Sequence, residues 1–324
     1  MTDNIKNALQ KAYSICGMYN NIGVSISGGA DSDIMLDLLL KVAPKEKFTF
    51  YFFDTGIEYE ATKRHLDYLE KRYNIVIERH KAIVPVPLGC KMYGLPFISK
   101  YVSQMIGRLQ EHNFDWKDGT FEEMVEKYPK CKGALNWFNN NNNKTNKPES
   151  SQFNIFRYPY LREFLIDNPP PFKISDKCCS GAKKDNAHKL EKEKNFDLNC
   201  IGIRKAEGGI RSAAYKSCFD ERENGKIKHF RPIFWFTNED KRVYEEKYNI
   251  IHSDCYRVYG MKRTGCARCP FGTSNIEEYS IMMFEPRLYQ ATENIFGKAY
   301  EYRLKYEEYK KKKIQEEKMR TKTF

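Results

Sequence analysis

Residues 24–32 read VSISGGADS, and the fold turns on how this stretch is read. The run NIGVSI that ends in it is apolar and β-branched, as a buried strand is. Beyond the glycines, Ile34 and Leu38, then Met35 and Leu39, recur at helical spacing, with Asp31 or Ser32 near the N-cap. Gly28 and Gly29 permit dihedrals and close approaches that a Cβ would block. Successive N–H groups in such a turn form a nest for an anion, and the helix N-terminus adds partial positive charge. Ser27 and Ser32 can add hydroxyl donors. An ordinary tight strand-to-helix turn needs neither the flanking hydroxyls nor an acid in register, so a phosphate seat is the favoured reading. It is not a Walker A loop, because no lysine follows the glycines.

The rest of the chain bounds what such a seat serves. A length of 324 residues suits one large or two modest domains, and 41% hydrophobic against 30% charged residues allows a core in a soluble protein. No apolar run is long enough to span a membrane, and MTDNIKNALQKAYSICG lacks a signal-peptide core, so a cytoplasmic setting is expected. Ten cysteines in a reducing compartment point to metal or sulfur chemistry more than to disulfides. The net charge of +12 favours anionic partners without separating a nucleotide from a nucleic acid.

Strand and helix signals alternate at the start: strand 21–26, helix 31–41, strand 47–53, helix 59–73 and strand 74–80. Alternation of this kind predicts an α/β fold with a doubly wound parallel sheet, whose ligands sit at the carboxyl ends of the strands. We divide the chain into a nucleotide-binding core (1–93), a helical insertion with an asparagine-rich loop (94–173), the remainder of the core with the paired cysteines (174–274), and a basic helical tail (275–324).

Residues 27–32, Ser-Gly-Gly-Ala-Asp-Ser, resemble the PP-loop of the ATP pyrophosphatases. That superfamily includes GMP synthetases, tRNA thiolation enzymes and the phosphoadenylyl-sulfate (PAPS) reductase family, and its fold is of the adenine nucleotide alpha-hydrolase type. The resemblance implies that Ser27, Gly28, Gly29, Asp31 and Ser32 grip the pyrophosphate of ATP while chemistry occurs at the α-phosphorus. Residues 53–62, FDTGIEYEAT, resemble the second nucleotide-binding element of the PAPS reductase family, which implies that Asp54, Thr55 and Gly56 cradle the adenosine. The family's Pro-Glu-Thr is here Glu60-Ala61-Thr62; Glu58 either replaces the acid or is a surface helix residue. IGIRKAEGGIRS (201–212) resembles an element whose arginines face an anionic substrate, here Arg204 and Arg211, and Lys183 and Lys184 occupy the basic site after a cysteine pair.

Two cysteine pairs follow the same family order: Cys178-Cys179, and Cys266 with Cys269 in Cys-x-x-Cys. A Cys-x-x-Cys by itself suits half a zinc site or a redox pair. Adjacent cysteines suit one tetrahedral zinc poorly, whereas an iron–sulfur cube offers separate corners to four thiolates. The arrangement resembles the [4Fe–4S] pattern of adenylyl-sulfate reductases and sulfur-transfer relatives; cluster, zinc and unligated thiols all stay open. Cys255 reads as a substitute ligand or a sulfur-handling thiol, and Cys16, Cys90, Cys131, Cys200 and Cys218 read as structural.

Sulfonucleotide reductases carry a nucleophilic cysteine in a C-terminal Glu-Cys-Gly-like motif, but no cysteine follows Cys269 here. The ATP-type loop and this difference point to an ATP-using sulfur-transfer enzyme of the family. The expected catalytic set is Asp31, Lys184, Arg204 and Arg211, with Cys178, Cys179, Cys266 and Cys269 as metal ligands. The resemblance implies ATP, Mg²⁺ and a [4Fe–4S] cluster as cofactors. The partners implied are a tRNA or DNA acceptor, a sulfur donor such as a cysteine desulfurase, and a second copy in a homodimer, with no membrane. A sulfonucleotide reductase and a non-enzymatic nucleotide- and cluster-binding regulator are the alternatives.

Overall fold

The structure, a computed structural model, describes residues 1–142, 151, 153–208, 214–220, 227–272 and 275–322. The chain forms two compact units. The first comprises Met1–Pro85, Gly181–Ala267 and Asn275–Tyr289; the second comprises Val86–Ser180, Arg268–Ser274 and Gln290–Phe324.

A six-stranded sheet runs through the first unit in the order β3-β2-β1-β4-β6-β5. Its strands are β1 (Ile22–Ser25), β2 (Phe48–Asp54), β3 (Ile77–Lys81), β4 (Leu198–Ile201), β5 (Phe219–Asp220) and β6 (Lys228–Phe230). Every neighbouring pair is parallel except β5–β6 at the edge. The α/β parallel sheet expected from the alternating pattern is thus present. From β1 the order steps outward to β2 and β3, and then restarts on the other side with β4. The carboxyl ends of β1 and β4 therefore flank the point where the winding reverses, the place where such sheets bind ligands.

The alternation in β2 shows how both faces are covered. Phe48, Phe50 and Phe52 enter one core with Ile34, Met35, Leu38 and Leu39 of the helix Ala30–Val42. Tyr51, pointing the other way, packs with Leu190 and Phe196. Gly23 keeps β1 thin: a Cβ there would lie 2.7 Å from the ring of Phe196.

The second unit is helical. Its helices include Val86–Tyr93, Lys100–Glu111, Phe121–Lys127, Lys132–Phe138 and Leu161–Asp167. Phe97, Trp137, Phe138, Phe164, Tyr302 and Tyr306 fill its core. Tyr302 and Tyr306 come from the long helix Pro286–Lys322, and their hydroxyls donate to the carbonyls of Asn168 and Pro159. The basic C-terminal stretch therefore begins as a packed element of this unit. Gly94 has φ +111° and sits so close to Lys173 that a Cβ would meet its carbonyl oxygen at 2.4 Å, beside a parallel bridge between Leu95 and Ile174. Residues 143–150 of the asparagine-rich loop lie outside the described residues. Among the described residues, no helix is long and apolar enough to cross a membrane.

Candidate nucleotide site and the cysteine pairs

The turn after β1 is built by its own hydroxyls. Ser32 Oγ donates to the Gly29 carbonyl at 2.9 Å and accepts from Ser27 N at 3.3 Å, and Ser27 Oγ accepts from Gly29 N at 3.3 Å. Gly28 adopts φ +66°, and a Cβ on it would lie 2.7 Å from Thr62 Cγ2. Both the positive φ and the close approach require glycine. Gly29 then caps the helix Ala30–Val42, whose first turn holds Asp31 and Asp33. Ala30 N donates to the Tyr256 hydroxyl at 3.1 Å.

Thr62 joins this turn to the second motif. It is buried, and its hydroxyl stands 3.7 Å from Cys255 Sγ. In the motif itself, Asp54 Oδ1 accepts from Gly56 N at 2.8 Å, and Gly56 takes φ +87°. Glu58 Oε1 accepts from the Thr55 hydroxyl at 2.6 Å. Glu58 is no surface helix residue: it is buried before the helix Glu60–Tyr73 begins. Burial raises its carboxyl above the usual range, opposed by the nearby Lys183 charge and the Thr55 hydrogen bonds.

The Gly-x-Arg element enters at the end of β4. Gly202 lies against the glycine turn's helix so closely that a Cβ would sit 2.9 Å from Ser32 Cα and 3.0 Å from Asp31 O. Two residues on, Arg204 Nε donates to Asp31 Oδ1 at 2.9 Å, and its Nη1 donates to Asn238 Oδ1 at 3.1 Å. Lys241 Nζ is 3.4 Å from the same Asp31 oxygen and 3.6 Å from Glu245. Asp31 is thus held by two cations. Lys184 is exposed in a π-helical turn, Ser180–Lys184. Arg211 lies outside the described residues.

Behind the turn, Asp33 Oδ2 accepts from His65 Nε2 at 2.9 Å and from His252 Nδ1 at 2.8 Å, while His252 Nε2 reaches Glu245 Oε1 at 2.7 Å. Burial opposes a charge on His252, but the hydrogen bonds to Asp33 and Glu245 outweigh it and raise its pKa to about 9. Sequence reasoning missed Lys241, His252 and Tyr256. The only local sign was the spacing of Lys241 and Glu245, four apart on one helix.

The cysteine pairs divide between the units. Cys266 belongs to the first, where its thiol donates to Thr55 Oγ1 at 3.5 Å. Cys178, Cys179 and Cys269 belong to the second, with Cys90. Cys178 is hydrogen-bonded to Cys179, which favours its thiolate, but the bond to Cys90, burial and the charge of Cys269 together push its pKa well up. Cys90, read as structural from sequence, thus joins the Cys178 group. A set of thiols suits a soft metal or a cluster in its donor chemistry. Yet among the described residues no group of three or more His, Cys, Asp and Glu is placed to hold a metal ion. Cys255 is fully buried, and burial raises its thiol above the ordinary value.

Solved structures similar to this chain include PAPS reductase from Candida auris in a phosphate complex, 13% identical, with a TM-score of 0.42 over 82% of this chain and 96% of that one. FMN adenylyltransferase from Candida glabrata with FMN and an ATP analogue is 12% identical, with a TM-score of 0.40 over 81% of this chain and 62% of that one. The U34-tRNA thiolase NcsA from Methanococcus maripaludis with its [4Fe–4S] cluster is 13% identical, with a TM-score of 0.38 over 95% and 80%. No curated protein matches the sequence. Residues 21–95 match the family model of the phosphoadenosine phosphosulfate reductase domain, a stretch holding both the glycine turn and the Asp-Thr-Gly turn. It is the family that these two turns resemble, and the match spans about a quarter of the chain.

Proposed function

We propose that this chain is a PP-loop enzyme that uses ATP to adenylate an oxygen of a nucleic acid, or of a related anionic acceptor, for replacement by sulfur. The observation that carries the reading is the turn at Ser27, Gly28 and Gly29, set where the sheet reverses its winding and backed by Arg204 and Lys241 around Asp31. Loop amides and hydroxyls hold the departing pyrophosphate, which needs charge stabilisation in the transition state. The acceptor oxygen attacks the α-phosphorus, the bond to pyrophosphate breaks, and an adenylated acceptor forms. A sulfur nucleophile then displaces AMP. Arg204 and Lys184 are the cations we assign to the acceptor or to charge developing at phosphorus, and Asp54, Thr55 and Gly56 to the adenosine. Mg²⁺ supplies charge neutralisation as the nucleotide's counter-ion. On donor chemistry alone, Cys178, Cys179, Cys266 and Cys269 are the proposed ligands of a [4Fe–4S] cluster, and no step here uses it. A cytoplasmic setting and a separate sulfur donor belong to the same reading.

The test is pyrophosphate release from ATP and Mg²⁺ in the presence of candidate tRNA or DNA. Release that depends on the nucleic acid and is lost in Gly28→Val is expected. ATP binding without release against any nucleic acid would instead support the regulator.

A further inference from the structure

Three N–H groups of the glycine turn each donate to a hydroxyl. Ser27 N and Gly29 N use Ser32 and Ser27 of the turn itself, whereas Ala30 N uses Tyr256, 226 residues away in the chain. A hydroxyl accepts from an N–H as a phosphate oxygen does, and it also carries a proton to donate. A phosphate oxygen seated at this helix N-terminus can therefore take the Ala30 N–H and receive the Tyr256 O–H. Thr264 completes the same wall: its Oγ1 is 3.4 Å from the Tyr256 hydroxyl. A Cβ on Gly29 would lie 3.2 Å from Thr264 Oγ1 and 3.4 Å from the Tyr256 hydroxyl, so both hydroxyls border the turn. Because no lysine follows these glycines, donors from another part of the chain matter more.

Tyr256 is held in place from behind. His252, four residues earlier, lies between Asp33 and Glu245 at 2.8 and 2.7 Å. A carboxylate at each ring nitrogen requires an N–H on both, so the ring is an imidazolium. Asp33 is itself tied to the turn, its N–H donating to the Gly29 carbonyl at 3.1 Å, and it also accepts from His65. The His252 and Tyr256 rings are 5.7 Å apart between centroids. Ser253 Oγ accepts from Cys255 N at 3.2 Å and starts the short helix Asp254–Arg257 that presents Tyr256.

We propose that Tyr256 is a phosphate-contacting residue of this seat, exchanging its place at the Ala30 N–H for a donated hydrogen bond to the anion, and that His252 is the residue that positions it. The inference rests on the PP-loop reading and adds to it an outer wall of two hydroxyls beside the turn. Thr264 is the weaker second donor of that wall.

The experiment is calorimetric binding of inorganic pyrophosphate to the full chain. Tyr256→Phe keeps the ring and removes the hydroxyl, and should weaken binding about tenfold, as expected for a lost hydrogen bond to a charged group. Thr264→Val should weaken it less. His252→Gln should also weaken it, and His252→Gln combined with Tyr256→Phe should be no worse than Tyr256→Phe alone in pyrophosphate affinity, even where melting temperatures add. Unchanged affinity in both Tyr256→Phe and Thr264→Val, with binding abolished by Gly28→Val, would overturn the inference and leave the PP-loop reading standing. Additive losses in the double variant would remove His252 from the positioning role. Failure of the unaltered protein to bind pyrophosphate would defeat the PP-loop reading and this inference together.

Discussion

Arg204 Nε donates to Asp31 Oδ1 at 2.9 Å across 173 residues of sequence, tying the end of β4 to the first turn of the helix that follows β1. Both side chains are largely buried, so removing one leaves the other charge poorly compensated. Lys241 shares the same oxygen at 3.4 Å and buffers the loss. Arg204→Ala should therefore impair pyrophosphate release more than ATP binding. A double-mutant cycle with Asp31→Asn should show a coupling of about 0.5–3 kcal/mol in stability, the range for contacting residues. Additive effects would mean that the pair is incidental.

Two glycines carry the geometry of the seat in different ways. Gly28→Val meets both a φ of +66° and Thr62 Cγ2 at 2.7 Å, and should abolish ATP binding. Gly202→Ala asks backbone to move, because Ser32 Cα and Asp31 O stand 2.9 and 3.0 Å from the added carbon. Overpacking of this kind costs about 1–3 kcal/mol. The Ala variant should therefore melt lower and bind ATP more weakly, whereas Gly17→Ala, at a glycine of ordinary φ with no atom within 4 Å of the added carbon, should not affect binding. Calorimetry and thermal melts on the three variants separate these outcomes.

His252 sets a pH limit on stability. Its folded-state pKa is raised from 6.5 to about 9, because the bonds to Asp33 and Glu245 outweigh burial. A raised pKa stabilises the fold fully below the unfolded value and loses that contribution as pH climbs through the folded one. Stability should therefore fall between about pH 6.5 and 9 in the unaltered protein. His252→Gln should start lower and lack this part of the fall. Identical melting profiles for the two proteins across that window would show that the imidazolium contributes nothing.

What the sequence made legible was local. The glycine turn, the parallel sheet and the helices of the second unit follow from periodicity and from residues adjacent in the chain. Glu58 was ambiguous because nothing nearby says whether the chain between β2 and the next helix buries it, and its partner Thr55 is found only once the turn closes. Lys241, His252 and Tyr256 were invisible for a different reason. Each acts on the turn from more than two hundred residues away, and the contacts depend on β4 being placed next to β1. Cys90 had no spacing that tied it to Cys178, since the parallel bridge from Leu95 to Ile174, which connects those two stretches of the second unit, leaves no trace in composition.

The thiols make a compositional prediction. If the paired cysteines hold an iron–sulfur cube, protein prepared without oxygen should be brown, with about four irons and four sulfides per chain. Serine at Cys178, Cys179, Cys266 or Cys269 should lose the colour. Cys90→Ser should leave iron content intact, since Cys90 meets the set through its contact with Cys178 and is not among the four proposed ligands. Colourless protein with stoichiometric zinc would establish the zinc reading in place of the cluster.

The last prediction separates ATP chemistry from sulfonucleotide reduction. A reductase needs a thiolate that can attack sulfur, and thiolates form where a thiol is exposed to cationic surroundings. Cys255 stands beside the glycine turn's partner Thr62, but it is fully buried, its thiol is hydrogen-bonded to Ser253 and Thr62, and burial raises its pKa. It is therefore a poor nucleophile at neutral pH. Adenylyl sulfate or PAPS supplied with thioredoxin should give no sulfite, while ATP and Mg²⁺ with the true acceptor should give pyrophosphate. Cys255→Ser should leave pyrophosphate release within about twofold, because the hydroxyl keeps the contact to Thr62 and no reacting atom is lost. Robust sulfite formation that disappears in Cys255→Ser would reverse the assignment: the buried thiol would then have to open to substrate, and the chain would be a reductase.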